Sequence, residues 1–290
     1  MNRRELLALI TSAPLVAASK NVRSIDTHTH FYDPSRPGGI PWPGPGETRL
    51  YRTVLPRDFE ALAKPFGIAG TVVVEASPLV EDNQWILDLA KDNPIIKGFV
   101  GHLEPSDREF AANLARFSRN PLFRGIRLGE SALRSAADGL KALADGGLTL
   151  DVIGGPAMLA AVADVASKLP SLKIVIDHLP FEPFTAKADT ALYQDGLKLL
   201  APLPNVYAKV SGVLRQDVGQ SGATLRIDKI WRTFGEDRVL YASNWPVSDL
   251  AAPYADVHAI VNAYFWAKGR RVMEKFFWSN AIKAYGLTGV

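Results

Sequence analysis

From Ser24 onward, short runs of β-branched and apolar residues alternate with stretches whose apolar residues recur every three or four positions, and the alternation completes eight rounds. The runs that predict strands are Ser24 to His30, Gly70 to Ala76, Ile95 to Leu103, Phe123 to Leu128, Leu148 to Ile153, Leu172 to His178, Asn205 to Ser211 and Arg238 to Ser243. Helical periodicity covers Glu81 to Asp92, Asp107 to Arg119, Ala132 to Ala144, Pro156 to Lys168 and Thr190 to Ala201, and a closing helix runs from Arg270 to Gly286. Pro156 suits a first helical turn, where its missing N–H leaves no bond unmade. "TVVVEA" and "KIVIDH" are apolar almost throughout, as expected of parallel strands buried on both faces. Eight such units predict an α/β fold, a single-domain (β/α)8 TIM barrel over residues 22–290. An open doubly wound sheet fits the same alternation, but no G-x-G-x-x-G follows the first strand to give it its usual ligand.

Two segments break the rhythm. "PSRPGGIPWPGPGE", Pro34 to Glu47, is too long and too rich in proline and glycine for a simple turn. Since it follows the first strand, a barrel would lay it over the catalytic face. At the other break, residues 1–19, Arg3 and Arg4 precede an apolar stretch from Leu6 to Ala18 that ends in small residues. This is the outline of a twin-arginine export signal, which places the mature protein in the periplasm; an ordinary amphipathic helix is the alternative and leaves it in the cytoplasm. The stretch is too short for a stable membrane span.

A chain of 290 residues with 47% hydrophobic content can bury a sizeable core. Its formal charge of +3 is spread without a basic block, which argues against nucleic acid and leaves a small anionic substrate compatible. With no cysteine, disulfides, thiolate metal sites and a cysteine nucleophile are excluded together. A homo-oligomer is compatible with everything in the sequence.

In a barrel of this kind the C-terminal strand ends share one mouth, so polar residues there are candidates for chemistry. They are His28 and His30, Glu75, His102, Arg127, Asp151, His178, Lys209 with Ser211, and Asn244. Residues i and i+2 of a strand share a face, so His28 and His30 present two imidazoles together, with Asp26 expected beside them. Such a pair can bind a divalent metal through neutral nitrogen or donate hydrogen bonds to a carbonyl oxygen that gains charge. His102 is equally readable as a core histidine, and Glu75 and Arg127 as partners in an ion pair. Trp245, Phe31, Tyr32 and Trp42 are expected to wall the mouth, and His258 is peripheral.

The strand ends carry Asp-Thr-His-Thr-His at 26–30, "FRGIRL" at 123–128, "IVIDHLPFEP" at 174–183, "NVYAKVSGV" at 205–213 and "RVLYASNWPV" at 238–247, followed by "NAIKAYGL" at 280–287. In this order the chain resembles the amidohydrolase superfamily, specifically its amidohydrolase-2 branch of lactonase-like hydrolases. The resemblance implies a hydrolase in which His28, His30 and His178 polarise a lactone carbonyl or hold one divalent metal, zinc or manganese. It also implies an aspartate at the end of the eighth strand that takes a proton from water, with Arg127 gripping a substrate carboxylate. The branch acts on lactones of sugar acids and on ring-cleavage products of aromatic compounds, and several members work without metal. Glu75, His102, Lys209 and Ser211 are then further substrate contacts.

Glu75 is a small departure from the pattern, standing where the branch more often has glutamine, and Asn244 is a larger one, standing where the branch has aspartate. An amide is not basic, and general-base catalysis contributes a factor of about 10²–10⁴. Three explanations follow: an inactivated variant, a hydrolase using His178, Glu75 or Asp26 as base, or a non-catalytic binder of small molecules. A metal-dependent decarboxylase of the same superfamily is a further alternative, weakened because asparagine is a poor ligand for a hard divalent metal.

Overall fold

The computed structural model describes residues 22–179, 186–214 and 220–290. The expected export segment, residues 1–19, lies outside them, as do positions 180–183 of the strand-six motif. No helix of the described residues is long and apolar enough to cross a membrane.

Eight parallel strands follow one another around the sheet in chain order: β1 (Ser24–Thr29), β2 (Ile68–Val74), β3 (Ile96–Gly101), β4 (Phe123–Gly129), β5 (Thr149–Ile153), β6 (Lys173–Leu179), β7 (Val206–Val210) and β8 (Val239–Tyr241). The ring closes just beyond β8, where His30 N–H donates to Trp245 O at 2.9 Å, Asn244 N–H donates to His28 O at 2.9 Å, and Thr29 bridges Trp245. The fold is therefore the single-domain (β/α)8 barrel that the alternation predicts.

The helices are α1 (Pro56–Ala63), α2 (Val80–Lys91), α3 (Phe110–Phe117), α4 (Glu130–Ser135), α5 (Ala137–Asp145), α6 (Met158–Lys168), α7 (Lys187–Leu200), α8 (Gln220–Phe234), α9 (Tyr254–Trp266), α10 (Arg270–Glu274) and α11 (Asn280–Tyr285). The single helix expected over Ala132 to Ala144 is broken at Ala136 into α4 and α5, and the closing helix contains a wide π turn over Lys275–Ser279. That turn buries the consecutive rings of Phe276 and Phe277, which a regular helix would direct to different sides.

Two apolar layers hold the barrel. The larger fills the space between strands and helices, and the smaller, with Ile25, Val72, Val100, Val175 and Leu240, fills the barrel's interior. The C-terminal segment closes that interior from below: Ala281, Ala284, Tyr285 and Leu287 pack into it, and Thr149 Oγ1 donates to Ala284 O at 2.7 Å. The mouth at the opposite end is thus the open one.

Candidate active site

Burial of the strand ends brings three imidazoles together. His28 on β1 and His30 just past its end have their Nε2 atoms 3.2 Å apart, and the His178 ring centre lies 4.5 Å from that of His28. Desolvation lowers all three, His28 well below its ordinary value, His30 to about 3 and His178 to about 4, so each ring is neutral at neutral pH.

Strand alternation alone would not give this arrangement. The β1 ladder is irregular between Asp26 and Thr29. Ile25 fills the barrel interior, while the carboxylate of Asp26 turns to the helix layer and accepts from Tyr254 Oη of α9 at 3.2 Å. Asp26 also accepts from Ser243 N–H at 2.9 Å and His28 N–H at 3.2 Å, which ties the histidine strand to the end of β8. The expected shared face of Asp26 with the two histidines is therefore corrected, because the irregular ladder interrupts the period of two. Burial raises Asp26 to about 6, against the bonds from Ser243, His28 and Tyr254.

A second irregularity lies on β6, between Ile176 and Leu179, where His178 adopts φ of 54°. This left-handed residue lets two consecutive side chains, Asp177 and His178, both reach the mouth. His178 Nδ1 lies 2.8 Å from Ser211 Oγ. Asn244 has a similar left-handed φ of 62°, and its Oδ1 is buried with no partner.

The cations expected to bind substrate are already engaged. Arg127 places Nε 2.9 Å from Glu75 Oε1 and Nη2 2.9 Å from the Glu75 carbonyl, with Nη1 3.7 Å from Asp177. Burial opposes its charge, but Glu75 and Asp177 more than compensate and raise it. Lys209, wholly buried in the barrel centre, contacts Asp151 Oδ2 at 2.5 Å, Asp177 Oδ1 at 2.9 Å and His28 Nδ1 at 3.1 Å. Asp151 also accepts from Tyr285 Oη at 3.1 Å; burial pushes it up to about 7 even with Lys209 beside it. Burial acts against Asp177 too, yet Lys209 and His28 hold it well below the usual carboxylate range. Of these two carboxyl groups, Asp177 holds its charge the more firmly.

Asp177 was not singled out by sequence, because an aspartate next to a histidine on one strand reads as facing away from it. Neither of its buried oxygens has a well-directed hydrogen bond, although His28 Nδ1 is 3.4 Å away. The compact donor group that could hold a metal is His28, Asp177 and His178, whose ligand atoms lie within 4.8 Å of one another. It differs from the expected trio of His28, His30 and His178. Two neutral imidazoles and a buried carboxylate are the donor types that suit one divalent metal of the zinc or manganese kind, although Lys209 already pairs with that carboxylate at 2.9 Å. The separation of His28 and His30 also matches the ~3.3 Å between two nitrogen ligands of a tetrahedral zinc.

Around this centre, Trp42 of the proline-rich loop sets its ring 5.6 Å from that of His30 and 5.7 Å from that of Tyr32, so the loop does reach the mouth. Trp245 and Phe31 pack behind it, 6.5 Å apart. His102 is held by its main chain: Asn83 Nδ2 donates to His102 O at 2.8 Å and His102 N–H donates to Asn83 Oδ1 at 2.9 Å. Gly101 leaves room for that amide, since a Cβ there would come 2.4 Å from Asn83 Oδ1. His258 sits outside the barrel in a cage of Phe66, Tyr241, Tyr254 and Phe277.

Comparison with known proteins places the chain in a family. The model of the amidohydrolase family matches residues 25–287. The chain is 32% identical over 250 residues, 81% of its length and 84% of the relative's, to an L-fucono-1,5-lactonase of Burkholderia ambifaria. A second L-fucono-1,5-lactonase, of Burkholderia multivorans, is 29% identical over 268 residues, 85% of this chain and 89% of the relative. Among solved structures, an amidohydrolase from Burkholderia multivorans with bound zinc superposes with a TM-score of 0.82 at 25% identity, over 92% of this chain and all of that one.

Proposed function

Because the chain belongs to the amidohydrolase family and is a hydrolase acting on lactones, we propose that its substrate is a neutral sugar-acid lactone and that the three imidazoles carry out the ring opening. The observation that carries this reading is the charge balance of the mouth. Its described cations, Arg127 and Lys209, are each paired with carboxylates, which leaves neither to receive an acid on the substrate. A polyhydroxy lactone without a carboxylate needs only hydrogen bonds, which the imidazoles, Ser211 and Asn244 supply. The names of the two Burkholderia lactonases support the same substrate class.

In this mechanism the Nε2–H of His28 turns to the lactone carbonyl oxygen and stabilises the charge that develops there. His178, with Ser211 on its Nδ1, receives the proton of the attacking water, and Asp177 beside it stabilises the imidazolium that forms. The bond from the carbonyl carbon to the ring oxygen breaks, and the proton returns to that oxygen, giving the open hydroxy acid. Of the other bases considered, Glu75 is bound to Arg127 and Asp26 faces the helix layer, which favours His178. Asn244 serves as a hydrogen-bonding group in place of a base. A divalent metal held by His28, Asp177 and His178 would supply Lewis-acid polarisation of the carbonyl as an alternative to these steps, since His178 as a ligand would no longer take the water's proton.

A panel of neutral and carboxylate-bearing lactones, followed by acid release with a pH indicator, tests the proposal. Turnover of neutral aldonolactones is expected, with His178→Gln slowing it by about 10²–10⁴. Preference for acid-bearing lactones would overturn the substrate class. Silence across the panel, with ligands still raising the melting temperature, would establish a binder instead.

A further inference from the structure

We infer that Lys209 is the resident cation of this site: it fixes the tautomer of His28 and neutralises Asp177, and so competes with a divalent metal for both. The inference rests on the reading that the His28–His30 pair faces the reacting carbonyl, but its tests need no substrate.

The tautomer follows from a chain of contacts with one solution. His30 Nδ1 is 2.9 Å from the carbonyl oxygen of Val74, which can only accept, so the ring carries its proton on Nδ1. Its Nε2 is then bare, and His28 Nε2, 3.2 Å away, must be the donor between them. His28 Nδ1 is left as an acceptor, and it is there that Lys209 Nζ, an ammonium with no lone pair, stands at 3.1 Å. The two ends of the chain, a backbone carbonyl on β2 and a lysine on β7, thus impose the same tautomer independently. Hydrogen bonds run in one direction, from Lys209 to His28 to His30 to Val74.

Lys209 also does what a metal would do for the carboxylates. It lies 2.9 Å from Asp177 and 2.5 Å from Asp151, all three side chains being wholly buried. A metal could enter in two ways, and Lys209 opposes both. Clamped between the two Nε2 atoms, it requires the His28 proton to leave Nε2 and a proton to be taken up on Nδ1, against the ammonium already there. No net proton is released in that exchange, and the new Nδ1–H faces Asp177 Oδ1 at 3.4 Å. Held instead by Nδ1 and Asp177, the metal must displace Lys209 itself. In either position it adds two charges beside an ammonium and the Arg127 guanidinium, which is 3.7 Å from Asp177. Lys209 is accordingly a positioning residue that favours a hydrogen-bonding histidine pair over a metal clamp.

The test is the ¹⁵N and ¹H ring spectrum of His28, assigned by its loss in His28→Gln, recorded on the metal-free protein and again with Zn²⁺, alongside direct titration of Zn²⁺. The metal-free protein is expected to show a protonated Nε2 and a hydrogen-bonded, bare Nδ1, reversing when zinc saturates. In Lys209→Met paired with Asp151→Asn, which removes one charge of each sign, the proton is expected to stay on Nε2, where His30 and Val74 still hold it, and Nδ1 to lose its hydrogen-bonded shift without zinc. Zinc should then bind at least about tenfold more tightly, since a neighbouring cation is gone. A metal-free parent whose His28 carries its proton on Nδ1 overturns the inference. So does a paired variant with zinc affinity within about twofold of the parent's. Should the variant fail to fold, the spectrum of the unaltered protein still decides. A protein inert towards lactones but with His28 in the expected tautomer would refute the lactonase reading alone.

Discussion

Arg127 can serve the site as a grip for a substrate acid or as a brace for Glu75 and Asp177, and the pairing with Glu75 makes the two roles separable. Its side chain is 13% exposed and that of Glu75 14%, so the pair is little screened by solvent. Arg127→Met removes hydrogen bonds to the Glu75 carboxylate and carbonyl and leaves Glu75 without its cation, while Asp177 keeps Lys209, a loss of about 3–5 kcal/mol. Glu75→Gln keeps an oxygen for Nε to donate to and loses only the charge, about 1–2 kcal/mol. The double variant no longer buries the uncompensated Glu75 charge, so it should be more stable than the sum of single losses by about 2 kcal/mol. Urea unfolding of the four proteins at one pH measures that coupling. Steady-state kinetics on neutral and acid lactones runs beside it, with the same kcat/KM loss expected for both substrate types. Additivity within about 0.5 kcal/mol, together with a rise in KM confined to acid lactones, would show that Arg127 grips substrate and would refute the brace.

Three further outcomes are expected. Asn244→Asp puts a carboxylate at the end of β8 as a second base beside His178, so lactone turnover should rise about 10²-fold; an unchanged rate would show that residue 244 does not reach the attacking water. His258, caged by four rings, is lowered from 6.5 to about 4 by burial. A histidine depressed in the folded state adds its stability fully above its unfolded pKa and loses it as pH falls towards the folded one. Stability lost from this group by pH 4.5 is therefore about 2–3 kcal/mol, and His258→Phe should spare that amount in urea melts between pH 7.5 and 4.5. An acid limb identical in both proteins would contradict it. Asn205 Nδ2 donates to the carbonyls of Ala166 and Leu172 at 3.1 and 2.9 Å, capping the end of α6 far from the mouth. Asn205→Ala should cost about 1–3 kcal/mol in unfolding free energy with kcat/KM unchanged, and a selective loss of activity would contradict this purely structural role.

Much of the molecule can be read in order along the chain. Local periodicity carries the eight strand positions, and the rule that barrel chemistry collects at C-terminal strand ends is enough to pick out His28, His30, Arg127, His178, Lys209 and Asn244 as residues of one mouth. Sequence by itself therefore determined the fold and named most residues of the mouth, though not Asp177 or Tyr285, because strand order follows from local periodicity. Only the tertiary structure decided what those residues do to one another. The irregular ladders of β1 and β6 turn Asp26 outward and Asp177 inward, against a period of two that any reading of the chain must assume. The pairing of Arg127 with Glu75 and of Lys209 with Asp151, Asp177 and His28 joins residues from β2, β4, β5, β6, β7 and β1, and Tyr285 reaches the same cluster from the closing helix. Burial then settles the charges: a cation that sequence offers to a substrate is, in a dry barrel, claimed by the nearest carboxylate, because leaving either one alone there costs several kcal/mol.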